Sequence, residues 1–192
     1  MIVDQEKRVY SGHWIFVRDN ESLSDTEFLG FFDCSTQNPL ESPEYTNFYA
    51  GVGRAPGWVS FLDDGFYSLY NSHDRLALGI ERLANQFEVL RIAVGDADNS
   101  YEFYHYRDGR RVRAFSFDDW GPNSKGVVLD EGTKFDSETS FESDGDPTEN
   151  VLKIPEEIGI SIATLHSGIR FYLQGDYRVS RSSETNEPNK AE

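Results

Sequence analysis

Alternating hydrophobic and polar positions predict several strands along the chain. The run RVYSGHWIFVR, residues 8–18, combines aromatic and β-branched side chains and predicts a first strand. In EVLRIAV, residues 88–94, the alternation puts Leu90, Ile92 and Val94 on one face of a second strand. Further strands are predicted as a pair in GWVSFLDDGFYSLY, residues 57–70, and singly at Ile169–Leu173.

The clearest helical pattern lies in the middle of the chain. At 3.6 residues per turn, one helix face is lined by Leu76, Ile80, Leu83, Ala84 and Phe87. Ser24 and Glu27 have the spacing of a capping box, which predicts a short helix that begins just before Phe28. Another helix is expected to open at Asp146-Pro147, and Pro155 must kink or divide it.

The segments between these patterns complete the fold prediction. Residues 35–56 are rich in Asn, Pro, Gly and Ser, so we expect a long loop there. Residues 123–150 predict an exposed acidic loop with a short strand near Gly126–Leu129. A disordered tail is expected at 178–192. We therefore expect an α+β fold with residues 1–177 as one domain: a mainly antiparallel sheet, one main amphipathic helix and one or two shorter helices.

The segment SYEFYHYRDGRRVRAF predicts a β-hairpin whose outer face carries arginines and tyrosines. Asp108-Gly109 supplies the positive φ angles of a two-residue turn, and the resulting register places Tyr106 opposite Arg111. Two residues further from the turn, Tyr104 would lie opposite Arg113. Each guanidinium would then contact a phenol ring, which contributes about 0.5–1 kcal/mol at an exposed site. Sheet stability accounts for the arginines in this geometry, and a recognition surface is the alternative.

The charge of the chain limits the kind of partner. Acidic residues outnumber basic ones 34 to 18, for a net charge of -16. Such a field repels phosphate backbones and attracts basic surfaces, which argues against nucleic acid as a direct ligand. Two interpretations remain open: the charge serves solubility alone, or it serves the binding of a basic protein.

Most of the candidate contact residues for such a partner lie in the acidic segment. They are Asp130, Glu131, Asp136, Glu138, Glu142, Asp144 and Asp146. The outer face of the hairpin adds Tyr104, Tyr106, Arg111 and Arg113 as further candidates for partner binding.

The motifs of common enzyme classes do not occur in the sequence. It contains no G-x-S-x-G, no GxxxxGK[ST], no GxGxxG after a strand and no C-x-x-C. The histidines are scattered, and DADNS, residues 96–100, is not followed by the glycine and glutamate of a calcium loop. We therefore expect no metal, no cofactor and no catalytic residue.

The compartment is predicted from one cysteine and from the absence of long apolar runs. Cys34 has no second cysteine with which to form a disulfide within the chain, so nothing indicates an oxidising compartment. The apolar run HWIFV is far shorter than a signal sequence or a membrane span. We expect a soluble cytoplasmic protein that does not contact a membrane.

The order of elements from Gly57 to Phe117 resembles that of known small proteins. It runs through GWVS, a helix ending in ERLANQF, the strand EVLRIAV, an Asp-containing loop and the hairpin, whose specific element is Tyr-x-Tyr-x-Asp-Gly-x-x-Val-Arg. This order is similar to small bacterial proteins of uncharacterised families, some encoded beside polymorphic or contact-dependent toxins and regarded as immunity proteins. The resemblance covers about a third of the chain. It implies an immunity protein that neutralises a basic, nuclease-like toxin, and it assigns no residue a role.

Two alternatives belong to other functional classes. An enzyme or small-ligand sensor would use Tyr104, Tyr106 and Trp120 as a pocket wall, beside Arg111, Arg113 and a histidine. A housekeeping scaffold domain would instead carry its charge evenly over the surface. A concave site that joins these rings to the arginines favours the first, and a convex hairpin argues against it.

Overall fold

The computed structural model describes residues 12–19, 22–42, 47–63, 73–94, 100–118, 125–141 and 147–176. Its strands are β1 (Gly12–Arg18), β2 (Pro39–Leu40), β3 (Asn47–Ala55), β4 (Trp58–Asp63), β5 (Val89–Val94), β6 (Tyr101–Arg107), β7 (Arg110–Asp118), β8 (Gly126–Gly132) and β9 (Arg170–Asp176). Its α-helices are α1 (Asp25–Gly30), α2 (His73–Ala84), α3 (Pro147–Glu157) and α4 (Ile162–His166), and a 3-10 helix spans Asp136–Ser140.

The described strands form one sheet in the order β2-β9-β3-β4-β1-β5-β6-β7-β8, and every neighbouring pair is antiparallel. Strand β1 lies at the centre because its side chains are apolar on both faces. Trp14 and Phe16 are buried on one face, and Ile15 and Val17 are buried on the other. An antiparallel strand with this composition must be covered on both sides.

Helices therefore pack on both faces of the sheet. On one face α1 and α2 cover a cluster that includes Ile15, Val17, Phe28, Phe32, Leu76, Ile80 and Leu83. On the other face the 3-10 helix, α3 and α4 cover a cluster that includes Trp14, Phe16, Phe103, Phe135, Val151, Ile154 and Leu165. The sheet thus separates two hydrophobic cores and gives the molecule two distinct helical surfaces.

The capping box predicted before Phe28 and the apolar periodicity predicted around Leu76 correspond to the first two helices of the structure. The Ser24 hydroxyl accepts a hydrogen bond from the Glu27 amide at 3.3 Å, and the Glu27 carboxylate accepts one from the Ser24 amide at 2.9 Å. This capping box begins α1. In α2 four residues of the predicted apolar face are buried, namely Leu76, Ile80, Leu83 and Ala84, whereas Phe87 lies beyond the end of the helix. The main amphipathic helix is thereby confirmed.

The expected long loop at residues 35–56 is wrong, because β2 and the nine-residue strand β3 lie within it. The glycines that make this segment resemble a loop are required by close packing. A Cβ on Gly53 would lie 2.6 Å from the Leu165 carbonyl oxygen of α4, and one on Gly51 would lie 3.0 Å from the Ile169 side chain. Strand β3 therefore uses small residues where α4 and its following loop approach the sheet.

The mainly antiparallel sheet is confirmed, and the described helices are more numerous than predicted. Residues 64–70 of the predicted strand pair and the predicted tail at 178–192 lie outside the described residues. Within the ranges that the structure describes, no helix is both long enough and apolar enough to cross a membrane.

Gly79 allows α2 to pack closely against Phe32, which follows α1, so we expect Gly79→Ala to destabilise the protein. A Cβ at this position would lie 2.4 Å from the ring of Phe32, which is fully buried. Overpacking of this kind costs about 1–3 kcal/mol, more than alanine gains in helix propensity. Chemical denaturation of the variant measures the difference.

The matched control is Gly30→Ala at the end of α1, where a Cβ would meet no atom within 4 Å. This variant should be neutral or slightly stabilising. If Gly79→Ala is as stable as Gly30→Ala, the close contact between α2 and Phe32 is not a packing constraint.

Candidate functional site

The β6–β7 hairpin turns at Asp108-Gly109, where both residues have positive φ angles of 53° and 71°. Next to the turn Tyr106 pairs with Arg111, as predicted. The register then shifts between Tyr106 and His105, and Val112 is the extra residue of a β-bulge in β7. This bulge moves all later residues of β7 to the opposite face from the one predicted.

The prediction that Tyr104 faces Arg113 is therefore wrong. Tyr104 pairs with Ala114, and Arg113 pairs with His105 on the other face of the sheet. A one-residue slip exchanges the two faces because successive side chains of a strand point to opposite sides. No turn chemistry marks Val112 as a bulge, so the sequence does not reveal the slip.

Arg113 is held in a buried ionic cluster. Its side chain is 1% exposed, and its Nε donates to the Glu138 carboxylate at 2.9 Å while Nη2 contacts the second oxygen of the same group. Nη1 donates to Asp130 at 2.7 Å and to the backbone carbonyl oxygens of Ala114 and Glu131. The guanidinium thus joins β7 to β8 and to the 3-10 helix.

Charge and hydrogen bonding keep Arg113 and Asp130 ionised. Burial acts against the charged form of Arg113, but its hydrogen bonds to the Glu138 and Asp130 carboxylates outweigh burial and raise the pKa of the guanidinium. The pKa of Asp130 is lowered by its hydrogen bonds from Lys134 and Arg113. Because its donors are already used, Arg113 serves the fold and presents no guanidinium at the surface.

Tyr104, Tyr106 and Arg111 remain on the face covered by α2. The guanidinium carbons of Arg91 and Arg111 lie 5.3 and 5.9 Å from the centre of the Tyr104 ring. The Tyr104 hydroxyl donates to Glu102 at 2.9 Å, and burial together with the Glu102 charge raises the pKa of Tyr104 to about 12. The predicted stacking of arginine on tyrosine is present, but Arg91 takes the place predicted for Arg113.

Two grooves flank the contact between the hairpin turn and the end of α2, where the Gly109 amide donates to the Ala84 carbonyl oxygen at 3.1 Å. One groove, of about 240 Å³, is lined by Tyr106, Arg91 and Arg111 among others. The other, of about 570 Å³, is lined by residues that include Arg18, Phe87, Glu88, Arg107 and Asp108. Both lie open on the surface between secondary-structure elements.

Glu88 forms a buried junction at the larger groove. Its carboxylate accepts hydrogen bonds from His105 Nε2 at 2.8 Å and from Arg107 at 2.7 Å, and Arg18 Nε lies 3.1 Å from its second oxygen. These contacts connect the ends of β1, β5 and β6. Glu88 and His105 are 17 residues apart, and no local motif predicts their contact.

Burial and hydrogen bonding together set the protonation of this junction. It lowers the pKa of His105 from its ordinary value of 6.5, although the bond to Glu88 opposes the shift. For Glu88 burial would raise the pKa, but the hydrogen bonds from Arg107 and His105 outweigh it and lower the pKa below 4.5. A neutral imidazole therefore donates its Nε2 hydrogen to an ionised carboxylate.

The segment predicted as an acidic loop is structured over much of its length. Strand β8 and the 3-10 helix contain Asp130, Glu131, Asp136 and Glu138. Asp130 and Glu138 bind Arg113, and Glu131 contacts Arg111 at 2.8 Å, so three of these four carboxylates are paired. The remaining candidates, Glu142, Asp144 and Asp146, lie outside the described residues.

Other carboxylates, not singled out by the sequence, are exposed on the same helical layer. The acidic helical surface consists of Asp136 in the 3-10 helix and Glu149, Glu156 and Glu157 in α3, all of them exposed. Glu157 accepts the backbone amides of Asp136 and Ser137 at 3.0 and 2.8 Å. This bond fixes the 3-10 helix to α3, and the surface therefore has a defined shape.

Comparison with protein-family models, curated proteins and solved structures gives no match for this chain. Among the described residues, no three metal-binding side chains of the His, Cys, Asp and Glu types lie close enough together to hold an ion. The function must therefore be inferred from the geometry and charge of the surfaces.

The buried cluster predicts a large effect for Arg113→Met. Removal of the guanidinium leaves Glu138, whose side chain is 5% exposed, as a buried charge without its main partner, which costs about 3–5 kcal/mol. The exposed pair of Arg111 and Glu131 is the control, and Arg111→Gln should cost no more than about 1 kcal/mol. Urea denaturation measures both variants.

A double variant separates lost charge balance from lost packing. Arg113→Met combined with Glu138→Gln removes both charges, so it should recover part of the stability lost in the single variant. If the single variant is only as destabilised as Arg111→Gln, Arg113 does not hold the 3-10 helix against the sheet.

The junction predicts that acidification destabilises the protein in two steps. Because the folded pKa of His105 is lowered, the unfolded chain takes up a proton first, and stability decreases as the pH falls below 6.5 towards the lowered folded pKa. The contribution of Glu88 to folding stability is complete above pH 4.5, and it is lost as the pH falls through the lowered pKa of Glu88 in the folded protein. Chemical denaturation at pH values from 7.5 downward, in steps of about half a unit, measures both decreases in stability.

His105→Gln isolates the first step. The glutamine amide can donate to Glu88 but does not titrate, so stability should depend less on pH below 6.5 while the step from Glu88 remains. An unchanged dependence on pH in this range would assign the first step to other groups.

Proposed function

We propose that this protein is an acidic protein-binding module that acts as an immunity protein and neutralises a basic, nuclease-like bacterial toxin. It binds the toxin through the acidic helical surface of Asp136, Glu149, Glu156 and Glu157. The observation that carries the proposal is that these four exposed carboxylates lie together on one helical layer.

Several carboxylates outside the acidic helical surface form ion pairs with arginines. On the opposite layer and at the edges of the sheet, Asp25 contacts Arg54 and Arg170, and Glu88 contacts Arg18 and Arg107. Similar pairs join Glu102 to Arg91 and Asp33 to Arg82. These pairs offset negative charge on the opposite layer and at the edges of the sheet, where Glu41 and Glu81 are also exposed.

The net charge of -16 gives this surface long-range attraction for a basic cleft. A nuclease cleft is built to bind phosphates, and a rigid row of carboxylates can occupy it in their place. Attraction of this kind raises the association rate by roughly 10- to 1000-fold and selects against acidic partners. The toxin class comes from the resemblance of the hairpin region to immunity proteins, and the charge is consistent with it.

The arrangement of the hairpin favours this proposal over a small-ligand sensor. Tyr104, Tyr106 and Arg111 lie on one face of the sheet, while Arg113 and His105 are buried on the other. The sheet thus separates Arg113 and His105 from the tyrosines, and the groove that Tyr106 and Arg111 line contains only part of the predicted pocket wall. Trp120, the third predicted ring, lies outside the described residues.

The experiment uses the tagged chain and a basic protein captured with it from its native host, purified and tested by surface plasmon resonance. Glu149→Gln with Glu156→Gln should slow association by about three- to tenfold at low salt, because it removes two steering charges. The association rate of the unaltered protein should fall steeply between about 0.05 and 0.5 M salt.

The matched control is Glu41→Gln with Glu81→Gln, which removes the same charge from exposed positions outside this surface. It should leave the association rate within about twofold of the original. A rate that ignores salt, or one that the control pair slows equally, contradicts the proposal.

A further inference from the structure

The larger groove beside the hairpin turn has the size and lining of a small-ligand site. Its volume of about 570 Å³ lies within the range of about 300–1,000 Å³ that is usual for such sites. Its lining combines apolar surface from Ala84 and Phe87 with two arginines, Arg18 and Arg107. The tyrosines of the predicted pocket wall do not line it, so it is a separate site.

One buried carboxylate holds both arginines in place. Glu88, whose side chain is 9% exposed, accepts a hydrogen bond from Arg107 Nη2 at 2.7 Å, and its other oxygen lies 3.1 Å from Arg18 Nε. The guanidinium carbon of Arg18 also lies 5.0 Å from the centre of the Trp58 ring. Side chains that are held before a ligand arrives lose less conformational entropy when they bind it.

Both arginines keep donors that the described part of the chain does not use. Within that part, Arg107 donates only through Nη2, and the closest contact of Arg18 to Glu88 is made by Nε. A guanidinium has five N–H donors in a planar fork, so most of them remain for water or a ligand. The two side chains are 52% and 56% exposed, so a ligand in the groove meets guanidinium groups and not the buried carboxylate.

The arginines leave one positive charge that Glu88 does not offset. Two guanidinium groups share this single carboxylate, and its third partner, His105, is a neutral imidazole. The other acid that lines the groove is Asp108, which is exposed at the turn and forms no ion pair within the described residues. Carboxylates more than about 8 Å away are largely screened at physiological salt, so the net charge of -16 does not decide what binds here.

We infer that this groove binds an organic monocarboxylate. The carboxylate of the ligand accepts hydrogen bonds from Arg18 and Arg107, and its apolar body lies against Phe87. A carboxylate matches the planar fork of a guanidinium, and its one charge matches the one that Glu88 leaves. Asp108 disfavours a ligand with a second negative charge. The site does not depend on the proposed toxin binding, because α3 and the 3-10 helix form the acidic helical surface.

Titration of the isotope-labelled full chain with sodium benzoate tests the proposal, with NMR of the backbone amides at about pH 7.5 and about 0.15 M ionic strength. We expect saturable shifts at Phe87, Arg107 and Gly109 with a Kd of about 0.1–5 mM. Acetate, which has the charge without the ring, should bind about tenfold more weakly. Inorganic phosphate, mostly a dianion at this pH, should also bind more weakly than benzoate.

Three variants test which side chains bind the probe. Arg107→Gln should raise the Kd for benzoate at least about fivefold, because it removes one of the two charged forks. The matched control is Arg110→Gln, which removes the same charge from an exposed position at the same turn and should change the Kd less than about twofold. Asp108→Asn keeps the turn, since asparagine also adopts positive φ, and should tighten binding about two- to threefold.

Three results would overturn the proposal. One is a set of shifts that grow linearly up to about 50 mM benzoate, because a specific site saturates. Another is a saturable site that Arg110→Gln weakens as much as Arg107→Gln, since the site then lies elsewhere. The third is equal binding of benzyl alcohol, which has the ring without the charge and would show that the arginines do not bind the ligand.

Discussion

The described structure depends on the buried guanidinium of Arg113. One bulge at Val112 turns this side chain to the face that carries the 3-10 helix, where it binds Asp130 and Glu138. A buried arginine persists only when its donors are matched by acceptors, and here carboxylates and carbonyl oxygens supply them. The 3-10 helix is held by this cluster on one side and by the Glu157 carboxylate of α3 on the other.

The same interaction determines which negative charges are exposed. Arg113 offsets the charges of Asp130 and Glu138, and Arg111 offsets that of Glu131. The carboxylates of α3 are left to form the acidic surface. A central sheet with helices on both faces keeps this surface apart from the arginine-rich grooves at the hairpin turn. The protein thus has an acidic helical surface and, apart from it, grooves that are lined partly by arginines.

Local features of the sequence predicted the elements whose signals are contained within a few residues. The capping box at Ser24 and Glu27, the periodic face of α2 and the Asp108-Gly109 turn are each present as predicted. The prediction was wrong where long-range contacts decide the outcome. Gly51 and Gly53 resemble loop residues, yet they lie in a strand because α4 and its following loop pack against them.

The sequence alone therefore determined the mainly antiparallel α+β architecture, its main helix and the position of the hairpin turn, because hydrophobic periodicity and turn chemistry act over short distances. Only the tertiary structure decided the face of Arg113, the pairing of the acidic segment and the junction of Glu88 with His105. A bulge of one residue exchanges the two faces of a strand, and distant charges meet only when strands are aligned. These contacts have no signature in the order of residues.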